Sequence, residues 1–231
     1  MRKGALISFC LSLSIVLTAC GYTDPFAGKT VDEIIAMNPD TDAKIVQEYF
    51  QRLKTADEKV RTLNPETEAD NLLAYYSELG LMRDYLGDKE GAIRAYKEGL
   101  EKFPGWGVGW NNVANVYQQT GDYSASEKAR LKYIELPGGM DSVQAFTDLA
   151  TLQAIDLKRL DKAEKTIEYG KQRLGEHPNF YFVLQQIYKR VGEDDKAKKA
   201  YDKYVELRDK PVVSDNSGEE VGTSTLKFSE E

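Results

Sequence analysis

The feature that most limits what this chain can fold into is an internal repeat. Leu86-Gly87-Asp88-Lys89-Glu90-Gly91-Ala92 aligns with Thr120-Gly121-Asp122-Tyr123-Ser124-Ala125-Ser126, and Gly121 lies 34 residues after Gly87. A third copy, Val191-Gly192-Glu193-Asp194-Asp195-Lys196-Ala197, follows Gly121 by 71 residues. Leu157-Lys158-Arg159-Leu160-Asp161-Lys162-Ala163 fills the interval, with Lys158 37 residues after Gly121 and 34 before Gly192. The three surplus residues fall in the Pro137-Gly138-Gly139 loop. A period of this length marks units too small to bury their apolar faces alone, which become stable only by stacking.

Each unit has the same physical layout. A first amphipathic helix ends at a glycine able to take left-handed backbone geometry, and an acidic or polar residue then starts a second helix. A small residue follows where the two helices cross, with an aromatic or aliphatic side chain one turn on. In these positions the sequence resembles the tetratricopeptide repeat. The first unit carries Tyr76, Leu79, Gly80, Gly87, Ala92, Tyr96 and Pro104, with Arg83 breaking an aromatic position. The second carries Trp110, Val113, Ala114, Tyr117 and Gly121, then departs with Ser126 and Arg130. The third keeps Ala150, Ala163 and Ile167 but has Lys158 in place of its turn glycine. The fourth carries Tyr181, Leu184, Tyr188, Gly192, Ala197, Tyr201 and Tyr204. The resemblance implies an all-α, helical-hairpin solenoid, a right-handed superhelix of about four repeats, with units near 73–106, 107–140, 144–177 and 178–208 of a 65–208 array.

Upstream, Thr30-Val31-Asp32-Glu33 is a capping box that starts a short helix within a linker spanning 20–41. Val46, Tyr49, Phe50, Leu53, Ala56, Val60 and Leu63 then form one stripe along a helix over 42–64. Its opposite face mixes Lys, Glu, Arg and Asp, which favours an N-terminal capping helix for the stack over an interfacial membrane helix. Asn64-Pro65 stops this helix and caps the next. Residues 209–231 are polar and acidic and read as a disordered tail. Its apolar exceptions, Leu226 and Phe228, are either solvated or docked in a groove.

The first residues read as a leader. Arg2 and Lys3 precede a continuous apolar and small-residue stretch, Ala5 to Leu17, too short to span a bilayer but suited to secretion. Leu17-Thr18-Ala19-Cys20 resembles the lipobox of bacterial lipoproteins. The resemblance implies cleavage after residue 19, a diacylglycerol thioether on Cys20, and two or three acyl chains (palmitate among them), enough for stable anchoring. Gly21 stands where enteric bacteria place an Asp for inner-membrane retention. The expected location is therefore the outer membrane, facing the periplasm, in a host with two membranes. With one membrane it is the outer face of the cytoplasmic membrane.

Composition excludes several functions. The net charge is −7, or −9 once Arg2 and Lys3 leave with the leader, so no basic stripe is available for nucleic acid. The two cysteines, Cys10 and Cys20, lie outside the repeats, so neither disulfide nor thiolate metal site supports the folded part. A single histidine, His177, argues against a Ser-His-Asp or Cys-His machine. Gly105-Trp106-Gly107-Val108-Gly109 lacks the lysine and preceding strand of a phosphate loop. No catalytic residues, metal or cofactor are expected, and the chain is not expected to be an enzyme.

First helices of such arrays line a concave face. By repeat position that face should carry Ser77, Leu81, Asp84 and Tyr85, then Asn111, Asn115, Gln118 and Gln119, then Asp148, Leu152 and Asp156, and finally Phe182, Gln186, Lys189 and Arg190. Amides can donate and accept, which suits an extended peptide backbone. Tyr85, Asn111, Asn115, Gln118, Gln119, Phe182, Gln186, Lys189 and Arg190 are thus the candidate partner-binding residues. Some family members hold a C-terminal carboxylate with a basic and amide set, of which only Asn112 is present here, so carboxylate capture is not expected. Trp110, Tyr117, Tyr181, Tyr188 and Tyr201 are core by position. Trp106, at a unit junction, is either exposed or part-buried. The function implied is an envelope scaffold for a partner protein in outer-membrane, pilus or cell-wall machinery. The alternative is a small-molecule-binding lipoprotein serving a transporter.

Overall fold

The glycine turns fall where a hairpin needs them. In the computed structural model, which describes residues 21–209, Gly87, Gly121 and Gly192 have φ of +86°, +81° and +83°. Each separates two helices, and each turn is closed by a backbone bond to the carbonyl five residues back: Asp88 to Arg83, Asp122 to Tyr117 and Glu193 to Tyr188, at 2.8–2.9 Å. Those bonds satisfy carbonyls that the helix end would otherwise leave open. The leader, Cys20 and the tail from residue 210 lie outside the described residues.

The elements are α1 (Val31–Met37), α2 (Ala43–Thr62), α3 (Ala69–Tyr85), α4 (Lys89–Lys102), α5 (Gly107–Gln119), α6 (Tyr123–Ile134), α7 (Pro137–Met140), α8 (Val143–Thr151), α9 (Leu160–Leu174), α10 (Pro178–Val191) and α11 (Asp194–Arg208). There is no strand among the described residues. Hairpins α3–α4, α5–α6, α8–α9 and α10–α11 are the four units, and α7 is made by the surplus loop residues. Two of the four second helices start on capping carboxylates, Asp88 accepting from the Gly91 N–H at 2.9 Å and Asp122 from Ala125 at 3.0 Å, while α9 and α11 have no side-chain cap. The capping box at Thr30 forms, with Glu33 closing back on the Thr30 N–H at 2.7 Å.

Packing follows the repeat positions. Tyr76, Leu79, Ala92 and Tyr96 are buried in the first unit, Ala150, Ala163 and Ile167 in the third. Gly80 has no room for a methyl group, because a Cβ would enter the Tyr96 ring. Along α2, Val46, Phe50, Leu53, Ala56 and Val60 are buried against α1 and α3, so the stripe caps the stack and is not free for a membrane. No helix among the described residues is long and apolar enough to cross a membrane.

Several expectations need correction. Tyr201 is 50% exposed, because among the described residues α11 is covered by α10 alone. Trp110, Tyr117, Tyr181 and Tyr188 are half-buried with accessible edges. Leu152 is fully buried and leaves the concave face. Trp106 is buried, its ring filling the space over Gly99 and Gly109. Asn64 caps a separate turn through the Glu66 N–H at 2.9 Å, and α3 starts only at Ala69.

The third unit deviates in a definable way. The chain after α8 widens into a π turn, Leu152–Asp156, and Lys158 takes φ +58° without being glycine. The Arg159 N–H reaches back six residues to the Gln153 carbonyl at 2.7 Å, where the glycine turns reach back five. One of the three surplus residues, all expected in the Pro137-Gly138-Gly139 loop, is thus absorbed in the helix end by the π turn.

Candidate partner-binding face

The candidate residues fall into three groups along the first helices. Tyr85, at the end of α3, is 51% exposed and lies against Tyr49 of α2, with ring centroids 5.0 Å apart. Gln119, at the end of α5, is exposed and accepts from Lys89, which also pairs with Asp84. These residues make a polar and aromatic edge across the first two units.

The middle group is not free. Asn115 and Gln118 are half-buried and accept from Arg130 at 2.8 and 2.9 Å, and Gln118 donates onward to Asp156 at 2.8 Å. Arg130, 5% exposed, also faces Asp148 at 3.6 Å. On the other side, Glu127 accepts from Gln153 at 3.0 Å and Arg159 at 2.8 Å, while Thr166 donates to Gln153 at 2.7 Å. Burial lowers the Arg130 pKa despite the opposing pull of Asp148 and Asp156. The result is a polar seam between the second and third units. It separates an apolar cluster running from Phe26 to Ala129 from another running from Ile134 to Ala200. Asn111 is half-buried on the same helix.

The last group is open. Phe182 is 45% exposed and rests on Tyr204, 5.5 Å between centroids. Gln186, Lys189 and Arg190 are exposed on the same helix, α10. An exposed aromatic ring beside amide and cationic groups is the composition of an interface anchor. Among the described residues no cluster of three His, Cys, Asp or Glu is placed to hold a metal ion.

A second polar cluster, absent from the sequence reading, ties the N-terminal segment to the first unit. Arg83, 6% exposed, pairs with Asp88 at 2.6 Å and with Asp24 at 2.9 Å, and its Nη1 donates to the Tyr22 hydroxyl at 2.7 Å. Tyr22 in turn donates to Asp88 at 2.7 Å, and Phe26 is buried edge-on against Phe50. Burial pushes the Asp24 carboxyl up, but the Arg83 guanidinium and the Phe26 N–H outweigh it and hold the group below its ordinary range. Residues 22–26 are therefore a fastened strap, where a plain linker was expected. The signal was present in the sequence: an arginine at an apolar repeat position must either distort the unit or meet buried acids.

Comparison with known proteins agrees with this architecture. The family profile described as tetratricopeptide repeat matches residues 178–211, which is the last hairpin. A solved structure of MamA superposes with TM-score 0.55 at 16% identity, covering 81% of this chain and 96% of that one. The fold is a tetratricopeptide-repeat solenoid. A second MamA crystal structure gives TM-score 0.55 at 15% identity, over 78% of this chain and 93% of that one. A tetratricopeptide repeat protein from Parabacteroides merdae gives 0.57 at 14% identity, over 76% of this chain and 66% of that one. No curated protein matches the sequence. At these identities the likeness is one of fold.

Proposed function

We propose that this chain is a lipid-anchored scaffold of the bacterial cell envelope that binds a partner polypeptide on its first-helix face. The observation that carries the reading is the uncovered set on α10, where Phe182 stands exposed beside Gln186, Lys189 and Arg190. Fixed helices present these groups, so a partner is met by a preorganised surface and little ordering cost. The middle of the face contributes rigidity through its seam, and contact concentrates at the two ends. The acyl chains on Cys20 keep the scaffold at the membrane, in the outer membrane facing the periplasm where the host has two membranes. The partner belongs to an outer-membrane, pilus or cell-wall assembly.

The test is co-purification from envelope extract with the wild type and a Phe182→Ala/Lys189→Glu/Arg190→Glu variant of unchanged helicity. The expected outcome is a partner retained by the wild type and lost by the variant. Equal retention by both would move the interface elsewhere, and no partner at all would remove the scaffold reading. Cys20→Ala should abolish acyl labelling and release the protein from membranes. The reading as a small-molecule-binding lipoprotein draws on one observation, an open depression of about 410 Å³ bounded by Phe26, Phe50, Lys54, Arg61 and Arg83. A ligand-dependent rise in melting temperature, abolished by Phe50→Ala, would favour it.

A further inference from the structure

We infer that the anchor has no free linker, so that the solenoid is held against the bilayer in one orientation with the start of α4 nearest the lipid. This rests on the lipid-anchor reading above and adds where the body sits once Cys20 is acylated.

Only Gly21 stands between Cys20 and Tyr22. Tyr22 is already fixed: its hydroxyl accepts from Arg83 and donates to Asp88, both at 2.7 Å. Arg94 of α4 lies over its ring, 4.8 Å from the centroid. Asp24 takes both terminal nitrogens of Arg83, at 3.3 and 2.9 Å, and Phe26 is buried in the core. Three points of attachment within five residues leave no slack. Two residues of extended chain reach about 7 Å, so an acylated Cys20 would lie within that distance of the Tyr22 site. A flexible linker would let the body sample positions far from the membrane; the strap removes that freedom.

The consequence concerns the partner's position. A body tethered this closely presents its first-helix face at a set height, with the first hairpin next to the bilayer and the last unit held away from the headgroups. The strap chemistry also makes the tether breakable. Loss of the Asp24 charge removes its ion pair with Arg83 and one of the two acceptor oxygens, while leaving the Arg83–Asp88 pair in place.

The test uses the acylated full chain in liposomes carrying a headgroup quencher. Single fluorophores are placed at Glu90→Cys, beside the strap on α4, and at Lys198→Cys, on the exposed side of α11. Mass spectrometry of the N-terminal peptide reports acylation separately. The expected result is strong quenching at position 90 and several-fold weaker quenching at position 198. A Gly-Ser insertion of about 12 residues between Gly21 and Tyr22, roughly 20 Å in root-mean-square span, should bring the two signals together, and Asp24→Asn should narrow the gap. Acylation with equal quenching at both positions in the unmodified chain would overturn the inference and leave the anchor reading standing. An unmodified Cys20 would overturn both.

Discussion

Arg83 and Arg130 sit at helix positions where the repeat pattern calls for apolar or small side chains, and both are buried with carboxylates drawn to them. A buried cation is tolerated only where its partners compensate the lost hydration. Arg83→Ala would leave Asp88, whose side chain is 5% exposed, without its counter-charge. Chemical denaturation should show a loss of about 3–5 kcal/mol. Asp24→Asn, at a more exposed partner, should cost roughly 1–2 kcal/mol. The pH dependence has a definite sign. Because the Asp24 carboxyl is held below its ordinary value of 3.8, its contribution is complete above that value and is lost as pH falls through the depressed one. An acid titration of stability should therefore be less steep for Asp24→Asn below about pH 4. A titration identical to wild type would mean that the strap contributes nothing to folding.

Gly121 holds φ +81° and a β-carbon there is strained, so Gly121→Ala should destabilise by about 1–2 kcal/mol. Lys158 already carries that strain at φ +58°. Lys158→Gly trades relief of the strain against greater freedom in the unfolded chain, and should be neutral to stabilising by up to about 1 kcal/mol. Thermal melts of the two variants should move in opposite directions or by clearly different amounts. Hairpin number, turn positions and the α2 stripe were legible in the sequence, because periodicity and glycine placement express local physics. The π turn was not, since one residue inserted near Leu152 leaves the spacing of Lys158 to Gly192 intact. Nor was the commitment of Asn115 and Gln118, because their partners Arg130 and Asp156 lie on other elements. The exposure of Phe182, Gln186, Lys189 and Arg190 on α10 was readable from repeat register alone.

Across the whole molecule, the polar seam divides the apolar core in two. Solenoid stability is a sum of unit and neighbour-interface terms, so weakening one interface should separate the halves. Arg130→Ala removes the central donor of the seam. Hydrogen exchange should then show α8 to α11 losing protection at lower denaturant than α2 to α5, where the wild type opens more nearly as one. The far end differs from the near end. α2 and the strap cover the first hairpin, while Tyr201 and Phe182 leave the last one open. Of the two ends at which the proposed scaffold meets its partner, the last unit is the more exposed among the described residues and should carry the main contact. The most direct measurement is photo-crosslinking in living cells, with a benzophenone side chain placed in turn at Phe182 and Gln186 on α10 and at Lys165 on α9. The expected result is a discrete protein adduct from both α10 positions and none from Lys165. Adducts confined to Lys165, or no adduct from either α10 position in cells where the protein is membrane-bound, would contradict it.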